Sequence, residues 1–353
     1  MNALCRHFGA CGGCALQDLA PDVYLQQKRA LIVAALARHR ITDPQLRNIT
    51  PVPPRSRRRT ALKIEKENGE TRIGFHAARS HALVDIQECH VLTAPLFTAA
   101  RGVARTLSPF LRDGEGTDVY MAEAGNGIDL ALQWKWRHAP ELIAAIAVAA
   151  PALSIVRVTS GSELLFQSDA PEVCFGKAMV KIPPQAFLQP TRDGEITLQR
   201  CVREAVGKAR RVVDLFSGCG TFSLPMAERA RVHAVDADAP MLNALVTAAR
   251  VTSGLKPVTT ERRDLFALPL SAVELKAFDA AVLDPPRAGA LAQARQLAKS
   301  GVRRIAYVSC DAASFARDAR VLLDGGYRLD WIVGVDQFLW SAHIELAAAF
   351  SKN

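Results

Sequence analysis

The second half of the chain alternates short apolar runs with longer amphipathic segments. Apolar runs of strand length occupy residues 211–216, 231–237, 279–284 and 303–310. The segments between them have the apolar spacing of helices, so each predicts a crossover from one parallel strand to the next. Two further runs, at 328–336 and 343–350, have a short connection and predict an antiparallel pair. The pattern predicts a doubly wound, Rossmann-like α/β domain with a mostly parallel sheet and an antiparallel edge strand.

Before about residue 180 the pattern changes to alternating polar and apolar positions. Runs of this kind at 60–66 and 71–77 flank the dipeptide Asn68-Gly69, which favours the tight turn of a β-hairpin. The change in pattern predicts two domains, an α+β domain over residues 1–180 and the α/β domain over residues 181–353.

Neither a membrane span nor a signal peptide is predicted. The longest apolar run, at 142–153, is shorter than the ~18 residues needed to cross a bilayer, and Pro151 interrupts it. Cysteines stand where a signal peptide would have its apolar segment. We therefore expect a cytoplasmic protein without a membrane partner.

The charge balance points to a polyanionic partner. The chain carries 44 Lys and Arg against 35 Asp and Glu, a formal net charge of +9 at pH 7. Nucleic acid is the leading candidate, although charge alone fits a merely soluble basic surface equally well. The excess is concentrated between residues 50 and 80, where eight Lys or Arg outnumber three Glu. The alternative there is a solvated strand face, and the candidate RNA contacts are Arg55, Arg57, Arg58, Arg59 and Lys63.

Four of the eight cysteines have the spacing of a metal or cluster site. Cys5, Cys11 and Cys14 lie within ten residues among glycines, and Cys89 could close the site from a distance. In a large intracellular chain such thiols are more often ligands than disulfide partners. The spacing fits a zinc ion and an iron–sulfur cluster equally well, and unligated thiols are the remaining alternative.

A glycine-containing turn follows the first strand of the α/β domain. Gly218 and Gly220 are present, but Ser223 occupies the position of the third glycine of a dinucleotide fingerprint. The next strand ends at Asp236, whose carboxylate is well placed for ribose hydroxyls. A nucleoside cofactor without a pyrophosphate, such as S-adenosylmethionine, fits this turn better than NAD does. An ordinary tight turn is the simpler interpretation of two glycines alone.

Three other polar groups are predicted at the ligand-binding edge of the same sheet. Asp284 opens the stretch DPPRAG, Cys310 lies in YVSCD and Glu345 ends HIE. Open α/β sheets bind ligands at the carboxyl ends of their strands, so these residues are candidates for chemistry. Each alone could equally be a loop acid or a core thiol; their common placement favours function.

These stretches, together with IGFHAARSHALVDIQEC, FLQP and DLFSGCGTF, resemble the RNA uracil-C5 methyltransferases, in particular the iron–sulfur type that acts on 23S ribosomal RNA. The resemblance covers nearly the whole chain. It implies a class I methyltransferase domain, S-adenosylmethionine as methyl donor and a [4Fe–4S] cluster on the four cysteines named above. It also implies Cys310 as nucleophile and Glu345 as base. The cofactor-binding positions that it implies are Gln189, Phe216, Gly218, Gly220, Thr221, Asp236, Asp264 and Asp284.

The chemistry explains why a thiol and a carboxylate are needed. Uracil C5 is a poor nucleophile until a thiolate adds to C6, and a base must then remove the C5 proton so that the thiol can leave. The target uridine must be unpaired or flipped out to be reached.

The chain also departs from the family. Thr191 stands where many members have Asn, and FLW replaces a Phe-Pro before the last histidine region. From the position of Cys5 we expect no N-terminal β-barrel like that of some relatives, and we therefore expect RNA contact from the basic stretch of the first domain.

Other functions fit fewer of these residues. An exocyclic-amine methyltransferase would have an aromatic residue where Arg287 stands, and a cytosine-C5 enzyme would have a Pro-Cys pair in that loop. A non-catalytic iron–sulfur protein that binds RNA would leave Asp284, Cys310 and Glu345 unexplained. A tRNA uridine-C5 methyltransferase is the alternative closest to the main prediction, in which a monomer modifies 23S ribosomal RNA.

Overall fold

The computed structural model describes residues 3–134 and 139–352. Up to residue 181 the elements, in chain order, are α1 (Pro21–Arg38), β1 (Thr50–Pro51), β2 (Arg59–Glu67), β3 (Glu70–His76), β4 (Leu83–Asp85), α2 (Ala94–Leu107), β5 (Gly116–Glu123), β6 (Ile128–Leu132), α3 (Pro140–Ala149), β7 (Ile155–Ser160), β8 (Glu163–Gln167), β9 (Glu172–Phe175) and β10 (Ala178–Lys181). Short 3₁₀ helices follow α2 and α3.

The rest of the chain alternates strands and helices. Its elements are α4 (Arg192–Val206), β11 (Arg211–Leu215), α5 (Ser223–Ala227), β12 (Arg231–Asp236), α6 (Ala239–Val251), β13 (Val258–Arg262), β14 (Ala280–Leu283), α7 (Leu291–Ala298), β15 (Arg304–Ser309), α8 (Ala312–Asp324), β16 (Arg328–Asp336) and β17 (Glu345–Ser351).

The larger sheet has eight strands in the order β1-β16-β17-β15-β14-β11-β12-β13. All neighbours are parallel except β17, which is antiparallel to β15 and to β16. The predicted mostly parallel α/β fold is confirmed. The antiparallel strand was expected at the edge, but it lies inside the sheet, and the two-residue β1 forms that edge.

The six strands predicted for this domain are all present, each within two residues of its expected ends. Their runs are apolar because helices cover both faces of the sheet, which buries β14 completely. Strand β13 was not predicted, since its residues Val258–Arg262 are only partly buried and the segment lacks the apolar run of its neighbours.

The first part of the chain forms a seven-stranded sheet in the order β4-β3-β2-β5-β6-β7-β8, which is antiparallel except between β6 and β7. The predicted hairpin is confirmed, because Glu67 pairs with Glu70 across the two-residue turn. Asn68 and Gly69 in that turn both have positive φ, at 52° and 81°. The helices α2 and α3 pack on this sheet and bury residues such as Leu96, Leu107 and Ile146.

The first helix packs against the core of the eight-stranded sheet, although it precedes residue 180 in the chain. Ile32 and Leu36 of α1 lie in the same hydrophobic core as Leu283 of β14 and Phe315 of α8. The division of the chain at residue 180 stays a prediction, but the segment that contains α1 and β1 completes the α/β core from the amino-terminal side.

The apolar run at 142–153 forms most of α3, and its residues Leu142 and Ile146 face the core of the seven-stranded sheet. Within residues 3–134 and 139–352, none of the helices combines the length and the apolarity that a bilayer crossing requires.

Candidate active site

Cys310, Asp284 and Glu345 meet at one edge of the eight-stranded sheet. Asp284 follows β14 and Cys310 follows β15, so both stand at carboxyl ends of parallel strands. Glu345 is the first residue of β17, which runs the other way and therefore begins at the same edge. Because Ser309 pairs with Leu346, Cys310 and Glu345 are the next residues of two adjacent strands.

A chain of hydrogen bonds joins the two carboxyl groups. Gln337, directly after β16, donates its Nε2 hydrogens to Glu345 Oε2 at 2.9 Å and to Gln189 Oε1 at 2.8 Å. Gln189 Nε2 then donates to Asp284 Oδ2 at 3.0 Å. Gln189, Gln337 and Glu345 are all buried, with 2%, 1% and 3% exposure. The two amides thus fix the direction in which each carboxyl group points.

Burial controls the protonation of this site. It raises the pKa of Glu345 to about 7, although the hydrogen bond from Gln337 and the charge of Arg59 oppose the shift. Burial and the neighbouring Glu345 raise the pKa of Asp284 well above its ordinary value. Near neutral pH the site therefore holds a proton that ordinary carboxylates would have lost.

The Cys310 thiol is held in its protonated form. Burial, followed by the charges of Glu345 and Asp284, raises its pKa to about 11, although Arg287 opposes this shift. Cys310 also lies just before α8, whose N-cap Asp311 accepts a hydrogen bond from Ser314 N at 2.7 Å. The thiol can ionise readily only when the neighbouring carboxyl charge is reduced or a cation comes closer.

Arg59 was predicted as an RNA contact, but it extends to this site. Its charge acts on both Glu345 and Cys310, and its guanidinium lies 4.3 Å from the ring centre of Phe187. Burial lowers the pKa of Arg59 to about 10, so it remains a cation at neutral pH. Phe187 is 52% exposed, so much of this side chain remains accessible to solvent.

The basic stretch does not form one exposed face. Arg58 is 7% exposed, forms an ion pair with Glu195 and donates from Nε to Gln189 O at 3.0 Å. Contact of Arg58 with RNA stays a prediction, although its guanidinium is buried and already paired inside the protein. Arg57 is half-buried and donates to Arg59 O at 3.1 Å.

The other two candidate RNA contacts lie nearer the solvent. Arg55 is exposed, and Lys63 is half-buried on β2 with its Nζ 3.7 Å from Asp118 Oδ1. On the outward side of β2, Ala61 pairs with Tyr120 of β5, an aromatic residue that is 40% exposed. Contact of these residues with RNA stays a prediction.

The glycine turn after β11 forms a cradle around Asp236. Gly218 N donates to Asp236 Oδ2 at 2.8 Å, and Asp238 N donates to Asp236 Oδ1 at 2.9 Å. Gly220 has φ of 96°, and a Cβ atom there would lie 2.9 Å from Leu245 Cγ. The turn therefore approaches α6 more closely than a side chain would allow.

The other predicted cofactor positions surround this cradle. Phe216 packs on Phe266 with ring centres 5.4 Å apart. Asp264 is exposed and accepts a hydrogen bond from Phe266 N at 2.9 Å, which fixes the turn that carries this ring. Thr221 O accepts from Gln199 Nε2 at 3.0 Å, so its backbone anchors the turn to α4.

Thr191 explains one departure from the family pattern. It is the N-cap of α4 and its hydroxyl accepts from Gly194 N at 3.0 Å. Asn performs the same capping role in many helices, so the exchange preserves the local structure.

Cys5, Cys11, Cys14 and Cys89 line one cavity of about 130 Å³, together with Gln17 and Arg57. All four thiols are free of disulfide bonds. Burial, followed by the charges of the other three cysteines, raises the pKa of Cys14 to about 12. In the part of the chain that the structure describes, no three His, Cys, Asp or Glu side chains are grouped as ligands of one metal ion.

Two residues of the site were missed or misread in the sequence. Gln337 connects Glu345 with Gln189, yet it follows an apolar strand in the stretch VDQFLW and resembles any loop amide. The signal that could have identified it is its position directly after β16, at the edge where Glu345 begins the next strand. Arg59 had no signal that separated it from Arg57 and Arg58.

Comparisons with known proteins agree with this geometry. The profile of the tRNA (uracil-5-)-methyltransferase family matches residues 132–353. An RNA methyltransferase of Brucella melitensis is 41% identical over 353 residues, which are 100% of this chain and 85% of that protein. The 23S rRNA (uracil(1939)-C(5))-methyltransferase of Aeromonas hydrophila is 31% identical over 364 residues, which cover 99% of this chain and 82% of that protein.

One solved structure has the same fold over most of the chain. It is the tRNA (uracil-54, C5)-methyltransferase of Pyrococcus abyssi in complex with S-adenosyl-L-homocysteine. The superposition has a TM-score of 0.75 at 24% sequence identity and covers 96% of this chain and 84% of that one.

The raised pKa of Glu345 predicts a pH-dependent change in stability. The folded state holds the Glu345 proton up to about pH 7, whereas the unfolded chain releases it near 4.5. The wild type therefore loses stability as the pH rises from about 4.5 to about 7, and the full loss persists above pH 7, where the folded protein buries the charge. Glu345→Gln should raise the free energy of unfolding by about 1–3 kcal/mol at pH 8.5 and change it little at pH 5. Urea unfolding at both values measures this.

Glu204→Gln is the matched control. Its carboxylate is exposed and hydrogen-bonded to Arg47, which lowers the pKa of Glu204, so this variant should gain no stability at pH 8.5. An identical pH dependence for wild type and Glu345→Gln would contradict the assigned protonation.

Proposed function

The chain belongs to the tRNA (uracil-5-)-methyltransferase family and is an S-adenosylmethionine-dependent RNA uracil-C5 methyltransferase, and from that premise we propose that it methylates a uridine of 23S ribosomal RNA through a covalent bond between Cys310 and C6 of the base. The observation that carries the proposal is the placement of Cys310 beside Glu345, on adjacent strands and in one buried site. Addition to C6 requires a nucleophile, and removal of the C5 proton from the same ring requires a base close to that nucleophile.

The first step uses the thiol. The thiol proton passes to solvent, and the thiolate sulfur forms a bond to C6. The electron pair of the C5=C6 bond becomes part of an enolate, which makes C5 nucleophilic. Arg287 favours the thiolate, since its charge lowers the pKa of Cys310. Arg59, which acts on the same thiol, adds a second positive charge near the developing anion.

The second step forms the carbon–carbon bond. S-adenosylmethionine, when bound, supplies a methyl group on a sulfonium. C5 of the enolate would form a bond to this methyl carbon as the methyl–sulfur bond breaks, its electron pair would stay on sulfur, and S-adenosylhomocysteine would leave as a neutral thioether. The C5 atom then carries both a methyl and a hydrogen. Asp284 and Gln189, linked at 3.0 Å, are proposed to hold the reacting groups in line at the cofactor side of the site.

The last step uses Glu345. Its carboxylate accepts the C5 proton, the C5–H electrons restore the C5=C6 bond, and the C6–S bond breaks to return the thiolate. A base works best when its pKa lies near the working pH, and the pKa of Glu345 is raised to about 7. Gln337 donates to Oε2 and thereby leaves Oε1 as the oxygen available to the proton.

The cradle after β11 is proposed as the nucleoside part of the cofactor site. Gly218 and Gly220 let the backbone approach the ligand, and Asp236 is proposed to accept hydrogen bonds from the ribose hydroxyls. Phe216 and Phe266 offer an aromatic pair for the adenine ring, with Asp264 beside them. Thr221 holds the turn through its backbone.

The cysteine cavity is proposed to hold a [4Fe–4S] cluster. Its four free thiols are the donor set that such a cluster needs, and its volume of about 130 Å³ fits a group of several atoms better than a single zinc ion. Gln17 Nε2 is buried without a hydrogen-bond partner at this cavity, and a sulfide acceptor would satisfy it. Cys5, Cys11, Cys14 and Cys89 would hold the cluster, which would cross-link distant chain segments.

The 23S substrate is proposed because the Aeromonas hydrophila relative is named for that activity and aligns over nearly the whole chain. Such a substrate would place the protein in the cytoplasm. The alternative is a tRNA substrate, in line with the name of the family. Incubation of the protein with labelled cofactor and each unmodified RNA distinguishes them.

Two variants separate the proposed roles of Cys310 and Glu345. Cys310→Ala should bind cofactor and RNA but transfer no methyl group, because C5 is never activated. In Glu345→Gln, Cys310 should still add to C6, and C5 should still accept the methyl group. The C5 proton should then stay in place and the C6–S bond should not break, so that protein and methylated RNA stay linked in a denaturing gel. The double variant should show no link. Full turnover by folded Cys310→Ala would exclude the covalent mechanism. Full turnover by Glu345→Gln would instead mean that another residue is the base, and Asp284 is the first residue to test for that role.

The cluster is tested by colour. Protein purified without oxygen should be brown and contain about four iron atoms per chain. Cys89→Ser should lose the colour and the iron and should unfold at a lower temperature, since the segment containing Cys5 loses a cross-link. Cys174→Ser is the matched control, because Cys174 is free but lies away from the cavity. Colourless wild-type protein with one bound zinc would contradict the proposal.

The RNA contacts are tested by salt dependence. Replacing both Arg55 and Lys63 with Ala should weaken RNA binding and reduce the slope of log affinity against log salt by roughly 1–2, because fewer counterions are released. Cofactor binding should be unchanged. The control replaces Lys208 and Lys299 with Ala. These two exposed lysines precede β11 and β15, so they lie at the amino ends of the strands, opposite to Cys310. Equal slopes for wild type and the first variant would place the RNA elsewhere.

A further inference from the structure

Lys28 is a buried cation that the reaction steps above do not use. It lies on α1, its side chain has no exposed area, and its Nζ is 2.7 Å from Asp336 Oδ1. The same nitrogen donates to Phe338 O at 3.2 Å and to His343 O. Burial lowers the pKa of Lys28 and the charge of Asp336 opposes that shift. A full set of three acceptors thus surrounds the ammonium.

These acceptors lie at both ends of one loop. Residues 337–344 connect β16 to β17, and they begin with Gln337 and end directly before Glu345. Asp336 and Phe338 stand at the start of this loop and His343 near its end. A single ammonium therefore ties the entry of the loop to its exit, next to the two residues whose hydrogen bond orients the proposed base.

Tyr24, one turn before Lys28 on α1, holds the middle of the same loop. Its hydroxyl donates to Asp336 Oδ2 and accepts from Trp340 N at 2.9 Å. Trp340 has φ of 57°, a left-handed conformation that a residue with a side chain adopts only when its surroundings hold it there. Helix α1 thus fixes the start, the middle and the end of the loop.

We propose that Lys28, supported by Tyr24, is a positioning residue that sets the loop 337–344 so that Glu345 and Gln337 face Cys310. The inference rests on the proposed covalent mechanism, because it assigns the positioning to the elimination step. Lys28 acts through the loop and touches no reacting atom. Without it, Glu345 would still be present, but its carboxylate would no longer be held where the C5 proton leaves.

The test compares two variants of the full-length protein. Lys28→Met keeps the length of the side chain and removes its donors, and Lys28→Met with Asp336→Asn also removes the buried charge that would be left unpaired. Both should bind S-adenosylmethionine within about twofold of wild type and lower kcat by about 10²-fold. Both should also accumulate methylated RNA linked to Cys310, because elimination is slowed more than addition.

The double variant separates position from stability. It should recover most of the thermal stability that Lys28→Met loses, yet keep the raised covalent fraction, because Phe338 O and His343 O still lack their donor. Arg157→Met is the matched control: Arg157 is a buried cation paired with Asp129 at 2.6 Å in the other sheet, so its loss should lower stability and leave the covalent fraction at the wild-type level.

The outcomes also separate this inference from the mechanism beneath it. If Glu345→Gln forms the covalent link and the double variant has wild-type kcat and covalent fraction, the positioning role is wrong and the mechanism stands. If Glu345→Gln neither forms the link nor transfers a methyl group, the covalent mechanism fails and the inference fails with it. If Glu345→Gln turns over fully, another residue is the base, and the positioning role of Lys28 fails while the covalent mechanism stands. Should Lys28→Met not fold, the double variant alone decides between these results.

Discussion

Two carboxyl groups and a thiol share one buried edge of the sheet, and the cost of burying their charges governs the structure around them. Glu345 is 3% exposed and its charge raises the pKa of both Asp284 and Cys310. Such a group of acids stays folded only if donors and cations compensate it. Gln189 and Gln337 supply the donors, and Arg59 comes from the seven-stranded sheet to supply a cation. The site is therefore complete only when both sheets are packed together.

The sequence predicted the parts of the fold that depend on local pattern. A parallel sheet buried on both faces needs continuous apolar strands, so β11, β12, β14 and β15 were found from hydrophobic runs, and the polar residues after them marked the edge where Asp284 and Cys310 lie. The hairpin at Asn68-Gly69 was equally predictable, because the turn itself demands those residues. In each case the cause lies within a few residues of the effect.

The remaining features depend on contacts between distant segments. Arg57, Arg58 and Arg59 look alike in the sequence, but their positions in the structure differ. Arg57 lines the cysteine cavity, Arg58 forms an ion pair with Glu195, and the charge of Arg59 acts on Glu345 and Cys310. Helix α1 was not predicted from the sequence, for a related reason. Two of its five buried positions are Tyr24 and Lys28, which break the apolar pattern that marks a core helix.

The same helix shows why chain order is a poor guide to function here. The segment before residue 50 supplies three of the cysteines and, through α1, the contacts that hold the loop before Glu345. The segment that contains Cys14 contacts the loop before Glu345 at Trp340. The carbonyl of Trp340 accepts hydrogen bonds from Ala15 N at 2.8 Å and from Leu16 N at 3.0 Å, and these are the two residues directly after Cys14. Two backbone hydrogen bonds therefore connect the residues directly after Cys14 to the loop that precedes Glu345. A group bound by the four thiols, as proposed above, would restrain the segment that contains Cys14, and these hydrogen bonds would join that restraint to the loop before Glu345 without any contact between the group and Glu345.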